Sequence, residues 1–180
     1  ETTGGLVKRD KITEIAIVLH DGEKVIEQYQ TLINPERSIP SFITGLTGIT
    51  DEMVSDAPLF CEVAKDIVLK TEGAVFVAHN ARFDYGFLRE EFARLGYAYT
   101  RKQLCTVRLS KKLLPQLKSH SLDALIRHFS LDVDKRHRAL DDALATAEVF
   151  RRIRLMGDGE KEMSDIINLG IKEARLPSSI

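Results

Sequence analysis

Apolar residues stand on both alternating registers between residues 11 and 19: Ile15, Ile17 and Leu19 on one side, Ala16 and Val18 on the other. That pattern predicts a strand covered on both faces. Asp21-Gly22 is a hairpin turn signal, and a return strand is predicted over residues 24–33, closed by Asn34-Pro35. Residues 35–58 read as a loop-rich stretch holding Thr44-Gly45-Leu46-Thr47-Gly48-Ile49-Thr50. Beyond it the pattern predicts a helix over 59–70, a short buried strand over 74–78, and a helix that begins at Asn80 or Ala81 and ends near Gly96. A short strand at 104–105 and helices over 107–114, 121–128 and 139–154 complete the series. An antiparallel pair followed by alternating strands and helices predicts an α/β domain with mixed strand direction.

Two helical faces carry acids. At helical spacing Asp84, Leu88, Phe92 and Leu95 share one side, so Asp84 is placed at the top of an apolar stripe. An ionised carboxylate there is costly unless something positive meets it, and no Lys or Arg of that helix shares its side. Two readings stand: a metal ligand, or a first-turn Asp favoured by the helix dipole. In the last helix Ala139, Ala143, Thr146, Phe150 and Ile153 form the expected inner face, with residues small enough for close approach to a sheet. Asp142 falls on the edge of that face in the first turn, and Asp141, about 100° away, is expected in solvent.

The domain is expected to occupy residues 1–155. Met156-Gly157-Asp158-Gly159 reads as a break, and residues 156–180 as a C-terminal helix or linker with Met163, Ile166, Ile167, Gly170, Ile171 and Ala174 on one stripe. A chain of 180 residues with 43% hydrophobic and 29% charged residues suits one globular domain with a sizeable core. Its net charge of −1 gives no global attraction to a polyanion, so contact with nucleic acid needs a local basic rim. Two stretches could supply it: Arg101, Lys102, Arg108, Lys111, Lys112 and Lys118, and the run Lys135-Arg136-His137-Arg138. Cys61 and Cys105 are far apart and in no metal-ligand spacing, which suits a reducing, cytoplasmic setting. No run of about 18 apolar residues predicts a membrane span.

Three segments, taken in order, change the picture: Glu1-Thr2-Thr3-Gly4, His79-Asn80-Ala81-Arg82-Phe83-Asp84 and His137-Arg138-Ala139-Leu140-Asp141-Asp142. Each alone is weak; their order and separations together resemble the motifs of the DnaQ-like 3′–5′ exonucleases, in the His-bearing (DEDDh) branch, the family of the proofreading epsilon subunit of bacterial DNA polymerase III. The resemblance covers most of residues 1–153. It implies a ribonuclease-H-like three-layer α/β fold, a central mixed five-stranded sheet flanked by helices. It also implies hydrolysis at the 3′ ends of single-stranded or frayed DNA with release of 5′-mononucleotides.

The family's first motif is Asp-x-Glu-Thr. Glu1 matches its Glu, so the Asp is expected two places ahead of the sequence given, together with most of the central strand. By resemblance two divalent ions, Mg²⁺ or Mn²⁺, are implied, the first held by that Asp with Glu1 and Asp142, the second approached by Asp84. His137 would take the proton from the attacking water, and Thr2, Thr3, Leu46, Thr47, Asn80 and Phe83 would contact the terminal nucleotide. Phe83 could equally pack on Phe87. His120, in Ser119-His120-Ser121-Leu122, and His79 are assigned structural roles. Expected partners are a single-stranded 3′ end, DNA favoured, and a DNA polymerase subunit or a fused nuclease domain; no membrane is expected. Two other readings stand beside this one: a 3′–5′ exoribonuclease acting on short RNA, and a noncatalytic DNA- or polymerase-binding domain should the first-motif Asp be absent.

Overall fold

A computed structural model describes residues 1–134 and 136–156. The expected stripe of residues 163–174 therefore lies outside the described residues. The elements run β1 (Glu14–His20), β2 (Val25–Leu32), α1 (Ser41–Thr47), α2 (Asp51–Ser55), α3 (Phe60–Lys70), β3 (Val75–Ala78), α4 (Ala81–Arg94), β4 (Lys102–Cys105), α5 (Thr106–Leu113), α6 (Leu122–Phe129) and α7 (Ala139–Leu155).

The first two strands form the expected antiparallel hairpin, with Glu14 opposite Leu32 and Ile17 opposite Tyr29, and a register shift at Leu19/His20. The turn is built as its sequence suggests: Asp21 Oδ1 accepts from the amides of Glu23 and Lys24, and Gly22 takes φ 104°. The stretch expected as loop instead contains α1 and α2. Thr50 Oγ1 caps α2 by accepting from Met53 N–H at 3.2 Å, and left-handed Gly48 ends α1. This is the local chemistry of Thr at an N-cap and Gly after a helix end.

β3 and β4 pair in parallel, Val75 opposite Lys102 through Ala78 opposite Cys105. Among the described residues the strands thus form two separate pairs, β1–β2 and β3–β4, rather than a continuous five-stranded sheet. An isolated antiparallel bridge, Thr2 to Ile12, lies ahead of β1.

Two large cores hold the layers. One joins Ile12, Ile15 and Ile33 to Phe60 and Ile67 of α3 and Phe87, Leu88 and Phe92 of α4. The other joins Leu104 to Leu109, Leu125, Val149 and Ile153 of α5, α6 and α7. Each such side chain contributes roughly 1.5–3 kcal/mol on full burial. Phe92 lies parallel to Tyr99 at 4.6 Å and edge-on to Phe60 at 5.0 Å, geometries that add about 0.5–1.5 kcal/mol per pair.

The predicted face of α4 is corrected at one end. Leu88 and Phe92 are buried, whereas Leu95 is 46% exposed as the C-cap, and Tyr85, Phe87 and Glu91 fill the remaining core positions. The inner face of α7 is divided. Ala145, Val149 and Ile153 enter the core, while Ala139, Ala143 and Phe150 face a cavity beside β1.

Candidate active site

The cavity, about 1200 Å³, lies between the β1–β2 pair and the β3–β4 pair. Its walls are β1 from Ile15 to His20, β3 from Val75 to Ala78, the start of α4 and the first turns of α7. Glu1, Asp84 and Asp142 all line it, as do Thr2, Leu46, Thr47, Asn80 and Phe83.

Glu1 is held by its backbone. Its carbonyl accepts from Thr13 N–H at 2.9 Å and its amino group donates to the Glu14 carbonyl at 2.8 Å. Asp84 is placed by a break in the strand. Asn80 takes the left-handed conformation, φ 70°, directly after β3 and starts α4 without a side-chain cap. That turn sets Asp84 in the first helical turn, open to the cavity by surface area yet crowded by the groove walls. Desolvation in this recess is the main cause that raises its carboxyl to about 6; the Glu1 carboxylate adds to it, while a backbone hydrogen bond opposes it.

Asp142 follows the same logic one helix later. Its N–H donates to the Arg138 carbonyl at 3.0 Å, closing the first turn of α7. Its carboxylate is paired with Arg136, whose Nε also lies 2.6 Å from Asp123 Oδ1. Arg138, in turn, donates from Nη2 and Nε to Glu14 at 2.6 and 3.1 Å. Glu14 also accepts from the Ala139 amide at 3.0 Å and from Gln30 at 2.9 Å. Burial raises the Glu14 carboxyl, but the bonds from Arg138, Ala139 and Gln30 outweigh it and hold the group below its ordinary value.

Three placements differ from the sequence-based picture. His137 does not line the cavity; it is half-buried in the turn ahead of α7 with a left-handed backbone, φ 62°. Thr3 is 1% exposed and its hydroxyl accepts from Lys11 N–H at 3.0 Å, so it supports the wall from behind. The basic rim is smaller than the run of charges suggested. Arg101 lies over the Tyr99 ring at 4.5 Å and bonds the carbonyls of Thr71, Val68 and Thr100, and Arg136 and Arg138 are engaged with acids. Arg101, Arg136 and Lys111 all line the cavity, the first two with their donors engaged in these bonds.

His79 Nδ1 lies 2.9 Å from Thr106 Oγ1 and His120 Nδ1 lies 3.0 Å from Ser110 Oγ, tying β3 and the α6 approach to α5. Burial pushes the His79 imidazole below its ordinary value. Phe83 packs on Phe87 at 5.0 Å and also lines the cavity. Glu14 was missed in the sequence. The available signal was a lone acid inside an apolar run expected to be covered on both faces.

The donor chemistry fits a hard divalent cation: three carboxylates face one cavity, and one of them is desolvated without a cationic side chain beside it. Among the described residues no three His, Cys, Asp or Glu side chains converge into a metal cluster, so Glu1, Asp84 and Asp142 constitute a partial set. Also among the described residues, no helix is long and apolar enough to cross a membrane.

An α/β domain with acids from beside an isolated β-bridge and from two helix starts on one cavity defines a class, and comparison with known proteins names it. The sequence profile of the exonuclease family (RNase_T) matches residues 1–150. The chain is 41% identical over 168 residues to the PolC-type DNA polymerase III of Caldanaerobacter subterraneus subsp. tengcongensis, covering 92% of this chain and 12% of that protein. It is 39% identical over 155 residues to the 3′-5′ exonuclease DinG of Bacillus subtilis, covering 85% of this chain and 17% of that protein. Among solved structures it resembles Exonuclease X in complex with 5′ overhanging duplex DNA, at 30% identity and a TM-score of 0.72, with 93% of this chain and 95% of that one covered. The chain belongs to the exonuclease family of DnaQ-like 3′–5′ exonucleases and has their ribonuclease-H-like α/β fold. It spans less than a fifth of the length of the two curated relatives just described.

Proposed function

We propose that the chain is a metal-dependent 3′–5′ exonuclease domain that hydrolyses phosphodiester bonds at the 3′ ends of single-stranded or frayed DNA, in a replication-proofreading or repair setting. The observation that carries the reading is the shared cavity of Glu1, Asp84 and Asp142. The polymerase and exonuclease relatives, and the DNA in the Exonuclease X structure, favour DNA as substrate and a polymerase as partner.

Glu1 and Asp142 would hold one Mg²⁺ or Mn²⁺ and Asp84 would approach a second; when bound, such ions activate a water and stabilise the leaving oxygen. His137 accepts the proton of the attacking water, a task suited to an imidazole. The water oxygen bonds to phosphorus, the P–O3′ bond breaks, the leaving O3′ takes a proton from solvent to become the new 3′-hydroxyl, and a 5′-mononucleotide is released. Leu46, Thr47, Asn80 and Phe83 line the wall against which the terminal nucleotide rests, and Thr2 flanks Glu1. A proton transfer by His137 requires its turn to present the ring to the cavity.

The five-stranded sheet belongs to the same reading. β1 and β3 each present an edge to the cavity, and an antiparallel strand extending the Thr2–Ile12 bridge alongside β1 would join the two pairs. The Asp expected two places before Glu1 would then share Glu1's side of that strand. Residues 156–180 are proposed as a helix or linker following the nuclease domain.

The test gives 5′-labelled DNA and matched RNA oligonucleotides to the natural full-length protein with Mg²⁺ or Mn²⁺. Stepwise shortening of DNA, abolished in Asp84→Ala and Asp142→Ala, is expected. Faster shortening of RNA would establish the exoribonuclease instead. Binding without shortening, or variants as active as the wild type, would reject the exonuclease site.

A further inference from the structure

Glu14 gathers four donors on one carboxylate while 1% exposed: Arg138 twice, Gln30 and the Ala139 amide. A buried acid of this kind is a specific device, since burial without partners would be costly. Three of its bonds concern the start of α7. The helix has no side-chain cap of its own, Arg138 being its N-cap residue. The Glu14 carboxylate, arriving from β1, takes the first helical N–H instead and places negative charge at the positive end of the dipole. The paired bonds from Arg138 fix direction as well as distance.

The residue so enclosed is His137. Its left-handed backbone costs a non-glycine residue about 1–3 kcal/mol and persists only where surroundings enforce it. Arg136 on one side is tied to Asp123 and Asp142, and Arg138 on the other to Glu14. The strained turn is therefore suspended between two anchored arginines, and the second anchor reaches the sheet through Glu14.

We propose that Glu14 is a positioning residue for the reaction: through Arg138 and the Ala139 amide it fixes the start of α7, the first helical turn that carries Asp142 to the cavity. This rests on the exonuclease reading above. Glu14 lines the cavity and is given no contact with substrate.

The test uses Glu14→Gln, which retains an oxygen for the Ala139 amide, and Arg138→Met, which leaves β1 untouched and removes a side chain that is 23% exposed. In the natural full-length protein both are expected to lower kcat, by up to about 100-fold for a displacement near 1 Å, with KM for the oligonucleotide unchanged. Arg138→Lys, which keeps the charge and loses the paired geometry, is expected to recover only part of kcat. In metal-free protein the Ala139 and Asp142 amide resonances of Arg138→Met are expected to move while that of Asp84 stays. Unchanged kcat in folded Arg138→Met, or unmoved resonances at Ala139 and Asp142, overturns the positioning role alone. Absence of any metal-dependent cleavage by the wild type overturns the exonuclease reading, and this role with it.

Discussion

Arg136 binds Asp142 and Asp123 at the same time, so the carboxylate proposed as a metal ligand is neutralised by a neighbour six residues away in the chain. The guanidinium supplies positive charge to a carboxylate that is 25% exposed at a helix start. A divalent cation held by Asp142 would have to compete with it.

Arg136→Gln should therefore tighten Mn²⁺ binding. A partly exposed pair of this kind is worth about 1 kcal/mol, which corresponds to roughly a fivefold change in affinity. Calorimetric titration of wild type and variant measures it; equal or weaker binding by the variant would show that Arg136 does not compete for Asp142.

Asp84 gives a pH signature. Its folded value of about 6 stands above the ordinary carboxylate value near 3.9. For a raised acid the contribution to stability is complete below the unfolded value and is lost as pH rises through the folded one. In chelator, Asp84→Asn should be more stable than wild type at pH 7.5 and no more stable at pH 4. Because the side chain is open to the cavity, solvent screening limits the difference to about 1 kcal/mol, or about 2–4 °C in Tm. A Tm difference independent of pH would contradict the assigned cause.

Arg101 lines the cavity, yet its donors are committed to the fold. Its stacking on Tyr99 and its bonds to Thr71, Val68 and Thr100 should make Arg101→Ala cost about 2 kcal/mol, lowering Tm by about 4–8 °C. The affinity for a single-stranded oligonucleotide should not change. Lys111→Ala should do the reverse: no loss of Tm, and a reduction of about 0.7 in the salt slope of binding. Fluorescence anisotropy at several salt concentrations separates the two.

Phe83 is 36% exposed while packing on Phe87. Stacking of a base on an aromatic ring contributes about 1–3 kcal/mol, so Phe83→Ala should raise KM about tenfold or more with a small change in Tm. A large loss of Tm with KM unchanged would assign Phe83 to packing alone.

The elements of this fold were legible where periodicity speaks for itself. α3, α4, α6 and α7 begin within a residue of expectation because Glu62 reaches back to the Leu59 amide, Ser121 caps α6, and the strand β3 ends at a polar His-Asn pair. α1 and α2 were not legible: seven and five residues, with a glycine inside the first, give too short a pattern. The acids facing the cavity were legible through the order of three motifs. What held them was not, because Glu14 and Arg138 are 124 positions apart and a run such as Lys135-Arg136-His137-Arg138 looks the same whether its charges meet solvent, phosphate or buried carboxylates.

The paired strands have one more consequence. β1 and β3 turn hydrogen-bonding edges toward a cavity walled by Ile15, Ile17, Val75 and Val77. The walls of the site are continuous with both cores, Ile15 with one and Val77 with the other. A substitution deep in either core therefore reaches the space between Glu1 and Asp84, and the chemistry is only as well defined as the packing behind it.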